Sequence, residues 1–172
     1  MRRITTIFVI AAGTMLFNLA VGEACGDKML RMGRGARFQQ SLHPANVLIY
    51  LPTDASPEAS SKAPKLQAFL KKAGHRANII HGSDRLSEVL SSDHYDVVLT
   101  SLAEAGDVEK QIQSSALKPV IVPMILNASK ADVTAAKKQY RCMIKNPNNG
   151  DEYLDAIDSA MKSRVRVVNK KG

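Results

Sequence analysis

The chain has 172 residues and a net charge of +8 at neutral pH, with 45% hydrophobic and 23% charged residues. That length suits one domain of ordinary size and leaves no room for two full lobes. Four Tyr, four Phe and no Trp are too few rings for the stacking platform of a single-strand nucleic-acid binder, so no nucleic acid is expected. The excess positive charge points instead to an anionic surface or an acidic partner.

Residues 1–24 read as a secretory signal peptide: Arg2 and Arg3 open it, an uncharged stretch runs from Ile4 to Gly22, and small residues lead to Cys25. Thr5, Thr6, Thr14 and Asn18 dilute the stretch, which favours a cleavable segment over an N-terminal membrane anchor. Small residues allow cleavage after Gly22 or after Ala24. Lipidation of Cys25 is the other alternative, although Glu23 departs from the pair of small uncharged residues that precedes the cysteine of a bacterial lipobox. The expected address is therefore periplasmic or extracellular. Loss of Arg2, Arg3 and Glu23 lowers the positive charge by one and leaves the mature chain basic.

Residues 25–45 form an irregular basic arm. Arg31, Arg34 and Arg37 alternate with Gly33 and Gly35, a pattern suited to contact with anionic groups or simply to a solvated linker. Residues 46–163 then alternate apolar strands with amphipathic helices. Asn46–Leu51 is a continuous apolar run stopped by Pro52, and Pro52 to Pro64 reads as a loop. Lys65 to Ala73 carries Leu66, Phe69 and Leu70 at helical spacing, with Gly74 as terminator. Arg76–Ile80 reads as a strand, and Ser83 caps a helix through Leu86, Val89 and Leu90. Asp96–Ser101 is a buried strand, Ala103–Ser115 a polar helix, and Pro119–Ile125 a further strand. Ser129 with Asp132 opens a helix to Tyr140, Cys142–Lys145 is a short fifth strand, and Asp151–Ser163 is an amphipathic helix. Strands apolar on both faces and separated by helices predict a three-layer, doubly wound α/β domain on a five-stranded parallel sheet. Residues 164–172 are a basic tail expected to be disordered, with Val165, Val167 and Val168 as a possible edge strand.

Cys25 and Cys142 are the only cysteines. In an oxidising compartment a disulfide between them would close a long loop; the alternative is that Cys142 is a small buried hydrophobe. The absence of a Cys-x-x-Cys argues against a thioredoxin-like role. His43, His75, His81 and His94 lack metal-ligand spacing, and Ser101 followed by Leu102 lacks the nucleophile elbow of a hydrolase. No cofactor, metal or catalytic set is expected.

Several phrases together resemble the receiver domain of bacterial response regulators, a flavodoxin-like fold: Val47-Leu-Ile-Tyr50, Ala73-Gly74-His75, Tyr95-Asp-Val-Val-Leu99, Lys118-Pro-Val-Ile-Val122 and Ile144-Lys145-Asn146-Pro147. The resemblance implies a metal-binding acidic pair ending the first strand and a phosphoacceptor aspartate ending the third. Here the pair falls on Leu51 and Pro52, and the acceptor falls on Ser101. The hydroxyl position after the fourth strand falls near Pro123 or Met124, and only the lysine is retained, as Lys145. Leu51 and Pro52 offer no side-chain oxygen to a hard cation, and a serine forms no acyl phosphate. The expectation is an exported, non-enzymatic pseudo-receiver that binds an envelope protein or an anionic surface. The alternative is a small-ligand binder whose crevice at the carboxyl ends of the strands uses Ser101, Asn127 and Lys145.

Overall fold

The computed structural model describes residues 40–113, 118–126 and 128–169, with the backbone alone for 165–169. Nine elements follow in chain order: β1 (Asn46–Leu51), α1 (Pro57–Lys72), β2 (Arg76–His81), α2 (Ser83–Ser92), β3 (Val97–Ser101), α3 (Ala105–Gln113), β4 (Val120–Met124), α4 (Lys130–Gln139) and α5 (Gly150–Asn169). All pairings are parallel, in the order β2-β1-β3-β4. Each crossover carries a helix, as parallel connections require.

The alternation along each strand decides which helix covers which face. Val47, Ile49, Leu51, Val97, Leu99, Val122 and Met124 pack with Leu70 of α1 and with Leu154 and Ile157 of α5. Leu48, Tyr50, Ile80 and Val98 point the other way and pack with Leu86 and Leu90 of α2 and with Val108 and Ile112 of α3. Burial on both faces explains the unbroken apolar runs of β1 and β3. Each fully buried Leu or Ile contributes about 1.5–3 kcal/mol relative to exposure, so the two layers are the main source of stability. On the α3 side, α4 is tied by Gln139 Nε2, which donates to Glu109 Oε2 at 2.8 Å.

The sheet has four strands among the described residues, against the five expected. Only Ile144 bridges to Met124, through Ile144 N–H to Pro123 O (2.9 Å) and Ile125 N–H to Ile144 O (2.8 Å). The strand stops there because the next donor on the β4 side is diverted: Asn146 N–H donates to Glu152 Oε2 at 2.8 Å, and Lys145 N–H donates to the same oxygen at 3.0 Å. A carboxylate on the first turn of α5 thus bends the chain out of the ladder.

Three other expectations need correction. The stretch from Pro57 to Pro64 is helical, because Ser56 caps α1 by accepting from Ala59 N–H and proline at the first position gives up a donor that would be unpaired anyway. Ala59 and Ala63 of that turn face the sheet, and their burial holds the helix despite Pro64. The cap of α2 is Gly82 rather than Ser83. Its φ of +83° and the 2.9 Å approach of Thr53 Oγ1 to any added Cβ both exclude a side chain there. The basic tail continues α5 to Asn169, neither disordered through that residue nor an edge strand.

Other local expectations match. Gly74, at φ +98°, ends α1 in a Schellman arrangement, with Gly74 N–H donating to Lys71 O and His75 N–H to Leu70 O. Ser129 and Asp132 form a reciprocal capping box at α4. His75 is buried, and its Nδ1 accepts from Ala45 N–H at 3.2 Å. Residues 41–43 are joined to the domain: Ser41 N–H donates to Ala73 O, and Leu42 and His43 N–H donate to the buried Asp158 carboxylate. The signal segment, Cys25, and Arg31, Arg34 and Arg37 lie outside the described residues.

Candidate functional site

The order β2-β1-β3-β4 reverses direction between β1 and β3, so the loops leaving these two strands diverge and open a crevice at their carboxyl ends. Four sequence-predicted positions lie at this end. Leu51 is buried in the α1/α5 layer, Pro52 is half-buried, and Ser101 is half-buried at the last position of β3. Ser101 is committed locally, its hydroxyl accepting from Glu104 N–H at 3.3 Å ahead of α3. In register, Ser101 opposes Met124, which in turn bridges to Ile144. This brings Ser101 and Lys145 to the same edge of the sheet, with Lys145 exposed. Asn127 lies outside the described residues.

A cleft of about 590 Å³ occupies the α2/α3 flank of that edge. Neither Ser101 nor Lys145 lines it. Its floor is Tyr50 of β1, with Val108 of α3 beside it; its walls are the turn Pro52-Thr53-Asp54, Ser83 at the start of α2, and the outer turns of α3. The lining therefore combines the β1–α1 turn with a helix that crosses over the neighbouring strand, as the topology dictates.

Three carboxylates, Asp54, Glu104 and Asp107, face one ammonium, Lys110, around this cleft. Lys110 Nζ lies 2.7 Å from Asp107 Oδ1, and this hydrogen bond, with the attraction between the two charges, raises the Lys110 pKa. Both partners are well exposed, so the pair adds little to stability. Tyr50 is 4% exposed. Burial first, and then the charges of Glu104, Asp107, Asp54 and Asp84, push its phenol above the ordinary value and keep it protonated. Tyr140, at the end of α4, is raised likewise by burial and by Glu109.

The opposite edge of the sheet is structural. Asp96 accepts from Asn46 N–H at 2.9 Å, lies 3.2 Å from His94 Nε2, and pairs with Arg164 of α5. That carboxylate fastens β1, β3 and α5 together. Among the described residues no group of three His, Cys, Asp or Glu side chains converges to hold a metal ion. No helix among them is long and apolar enough to cross a membrane.

The grouping of Tyr50, Asp54, Glu104 and Asp107 around this cleft is absent from the sequence-predicted site. The available signal was the pair of acids just after the third strand, at the start of a helix whose polar character was already evident.

No protein-family model matches the sequence, and no curated protein matches it significantly. Among solved structures, the chain is similar to a response regulator protein from Burkholderia pseudomallei solved with a phosphorylated aspartic acid, a calcium ion and citrate. The TM-score is 0.48 at 14% identity, over 74% of this chain and 75% of that one. A likeness of that size carries no functional weight.

Proposed function

We propose that this chain is an exported, non-enzymatic, receiver-like binding domain that lacks a phosphoacceptor. The observation that carries the reading is the chemistry at the ends of β1 and β3, where Leu51, Pro52 and Ser101 stand in place of three carboxylates and the Ser101 hydroxyl is engaged with the backbone ahead of α3. Asp54 and Glu104 line a cleft on the α2/α3 flank and do not restore an acidic pair at the strand end. Incubation with acetyl phosphate, or with beryllofluoride and magnesium, is expected to leave the mass and the amide NMR spectrum unchanged. Magnesium-dependent shifts centred on Ser101 would overturn the proposal.

Export and partner binding belong to the same proposal. The basic segment bearing Arg31, Arg34 and Arg37 displays its charge to an acidic envelope protein or an anionic surface, and salt-sensitive retention on anionic vesicles is the expected behaviour. A disulfide from Cys25 to Cys142 would anchor that segment. Its support is that Cys142 is buried and is not a free thiol, while the chain has one other cysteine. Intact mass of protein recovered from the envelope tests export: the expected form begins between Glu23 and Cys25, and a form retaining Arg2 or Arg3 would refute cleavage.

The cleft on the α2/α3 flank favours a second reading, in which the domain takes a small ligand. It lies at the topological switch point of an open parallel sheet, and its volume is within the range of small-molecule sites. In this reading the contacts come from Tyr50, Asp54, Glu104 and Asp107 rather than from Ser101 and Lys145.

A further inference from the structure

From the cleft's mixture of a buried phenol and dispersed carboxylates, we infer that its ligand is a small organic cation, of the class of primary alkyl amines and diamines. The inference rests on the second reading above, that the cleft takes a small ligand, and supplies the chemical class. Charge gives the first argument. Asp54, Glu104 and Asp107 outnumber the single Lys110 in a chain whose net charge is +8, so the cleft is an acidic patch on a basic molecule. Such a patch concentrates cations against the field of the whole protein.

Tyr50 supplies the second argument, independent of the acids. It lines the cleft at 4% exposure, and its hydroxyl makes no hydrogen bond to the described residues and opens onto the cleft. A buried phenol ordinarily finds a partner. Here a ligand seated in the cleft meets the hydroxyl. The phenol oxygen accepts from an ammonium N–H, and the ring and Val108 provide an apolar floor for methylene groups.

The spread of the carboxylates separates an organic cation from a metal ion. A divalent cation gathers six or more oxygens around one point, and among the described residues no three acidic, His or Cys side chains converge in that way. A diamine spans the distance between separated carboxylates. The exposed pair of Lys110 with Asp107 already shows this wall accepting an alkylammonium, at 2.7 Å.

The test is an amide NMR titration of the full chain with putrescine, run in parallel with 1,4-butanediol, succinate and magnesium chloride. Putrescine is expected to give saturable shifts in the segments 50–54 and 104–111, weakening as salt is raised. The double variant Asp54→Asn with Glu104→Gln is expected to weaken binding by fivefold or more, and Tyr50→Phe by a smaller factor at unchanged spectral dispersion. Should Tyr50→Phe fail to fold, the double variant on the cleft walls still decides the matter. Equal or tighter binding of butanediol or succinate at the same amides would overturn the cationic class while leaving the cleft a ligand site. Displacement of putrescine by stoichiometric magnesium would overturn the organic class. Absence of saturable shifts with every probe would overturn both the class and the ligand reading beneath it.

Discussion

Replacing Thr100 by valine is expected to stabilise the domain, against the usual direction of a core substitution. Thr100 lies on β3 at 0% exposure, and its hydroxyl has no hydrogen-bond partner among the described residues. Alternation along β3 places it on the same face as Val98, in the layer under α2 and α3. A hydroxyl left in that layer without a partner costs about 1–3 kcal/mol. Valine keeps the β-branch, the χ1 restriction and nearly the volume, so little cavity or strain offsets the gain. The net stabilisation is then about 1–2 kcal/mol, a rise in melting temperature of roughly 3–8 °C for a domain of this size. Thr100→Ser is the control: it keeps the hydroxyl, removes a methyl group, and should lose about 1 kcal/mol. Urea unfolding followed by circular dichroism reads both changes, with the slope unchanged if the unfolded state is unaffected. A valine variant no more stable than the parent would show that the hydroxyl is satisfied in solution and refute the reasoning.

Asp158→Ala should destabilise by about 2–3 kcal/mol, because the N–H groups of Leu42 and His43 lose a buried carboxylate acceptor at 3.3 and 2.9 Å; hydrogen exchange at those two amides should accelerate, and unchanged exchange would count against the contact. Tyr153 carries a phenol pushed by burial, and secondarily by Glu152, up to about 12 from the ordinary 10.0. The folded state therefore holds this proton more tightly than the unfolded state, and the contribution, about 2–3 kcal/mol, is complete below pH 10 and lost as pH rises toward 12. Tyr153→Phe should flatten that alkaline loss while giving up the bond to Pro147 O at 3.1 Å; an unchanged alkaline midpoint would refute the assignment. Cys142→Ser should lower the melting temperature only under oxidising conditions, by an amount consistent with a long closed loop, about 3–5 kcal/mol. Nonreducing peptide maps without a Cys25–Cys142 pair would end the disulfide proposal.

The layers of the fold were legible where local signals agreed with tertiary packing. Asn46–Leu51 and the run ending at Ser101 are apolar at consecutive positions because helices cover both faces, and this pattern is visible without coordinates. Gly74, Ser129 and Asp132 are equally local, since a positive φ or a reciprocal cap depends on residues within one turn. The errors arose where a distant partner decides. Proline content suggested a loop from Pro52 to Pro64, yet the alanines of α1 gain burial against a sheet whose strands come from elsewhere in the chain. The fifth strand had strand-like residues, but Glu152, six positions beyond Asn146, takes the Asn146 donor that would have extended its pairing.

The site was legible as a deficit and missed as an arrangement. That Leu51, Pro52 and Ser101 offer no carboxylate follows from their identities, and their meeting at one sheet edge follows from parallel strands ending on the same side. The acidic cleft required knowing that Tyr50 and Leu51, adjacent on one strand, serve opposite layers. Leu51 completes the core under α1 and α5, whereas Tyr50 turns toward α3, with Glu104 just ahead of that helix and Asp107 in its first turn. A single step along β1 thus separates the edge position where the resemblance expects phosphate chemistry from the flank where this chain has collected negative charge. The alternation of the same strand supplies the neighbouring phenol, and the crossover into α3 supplies the acids that surround it.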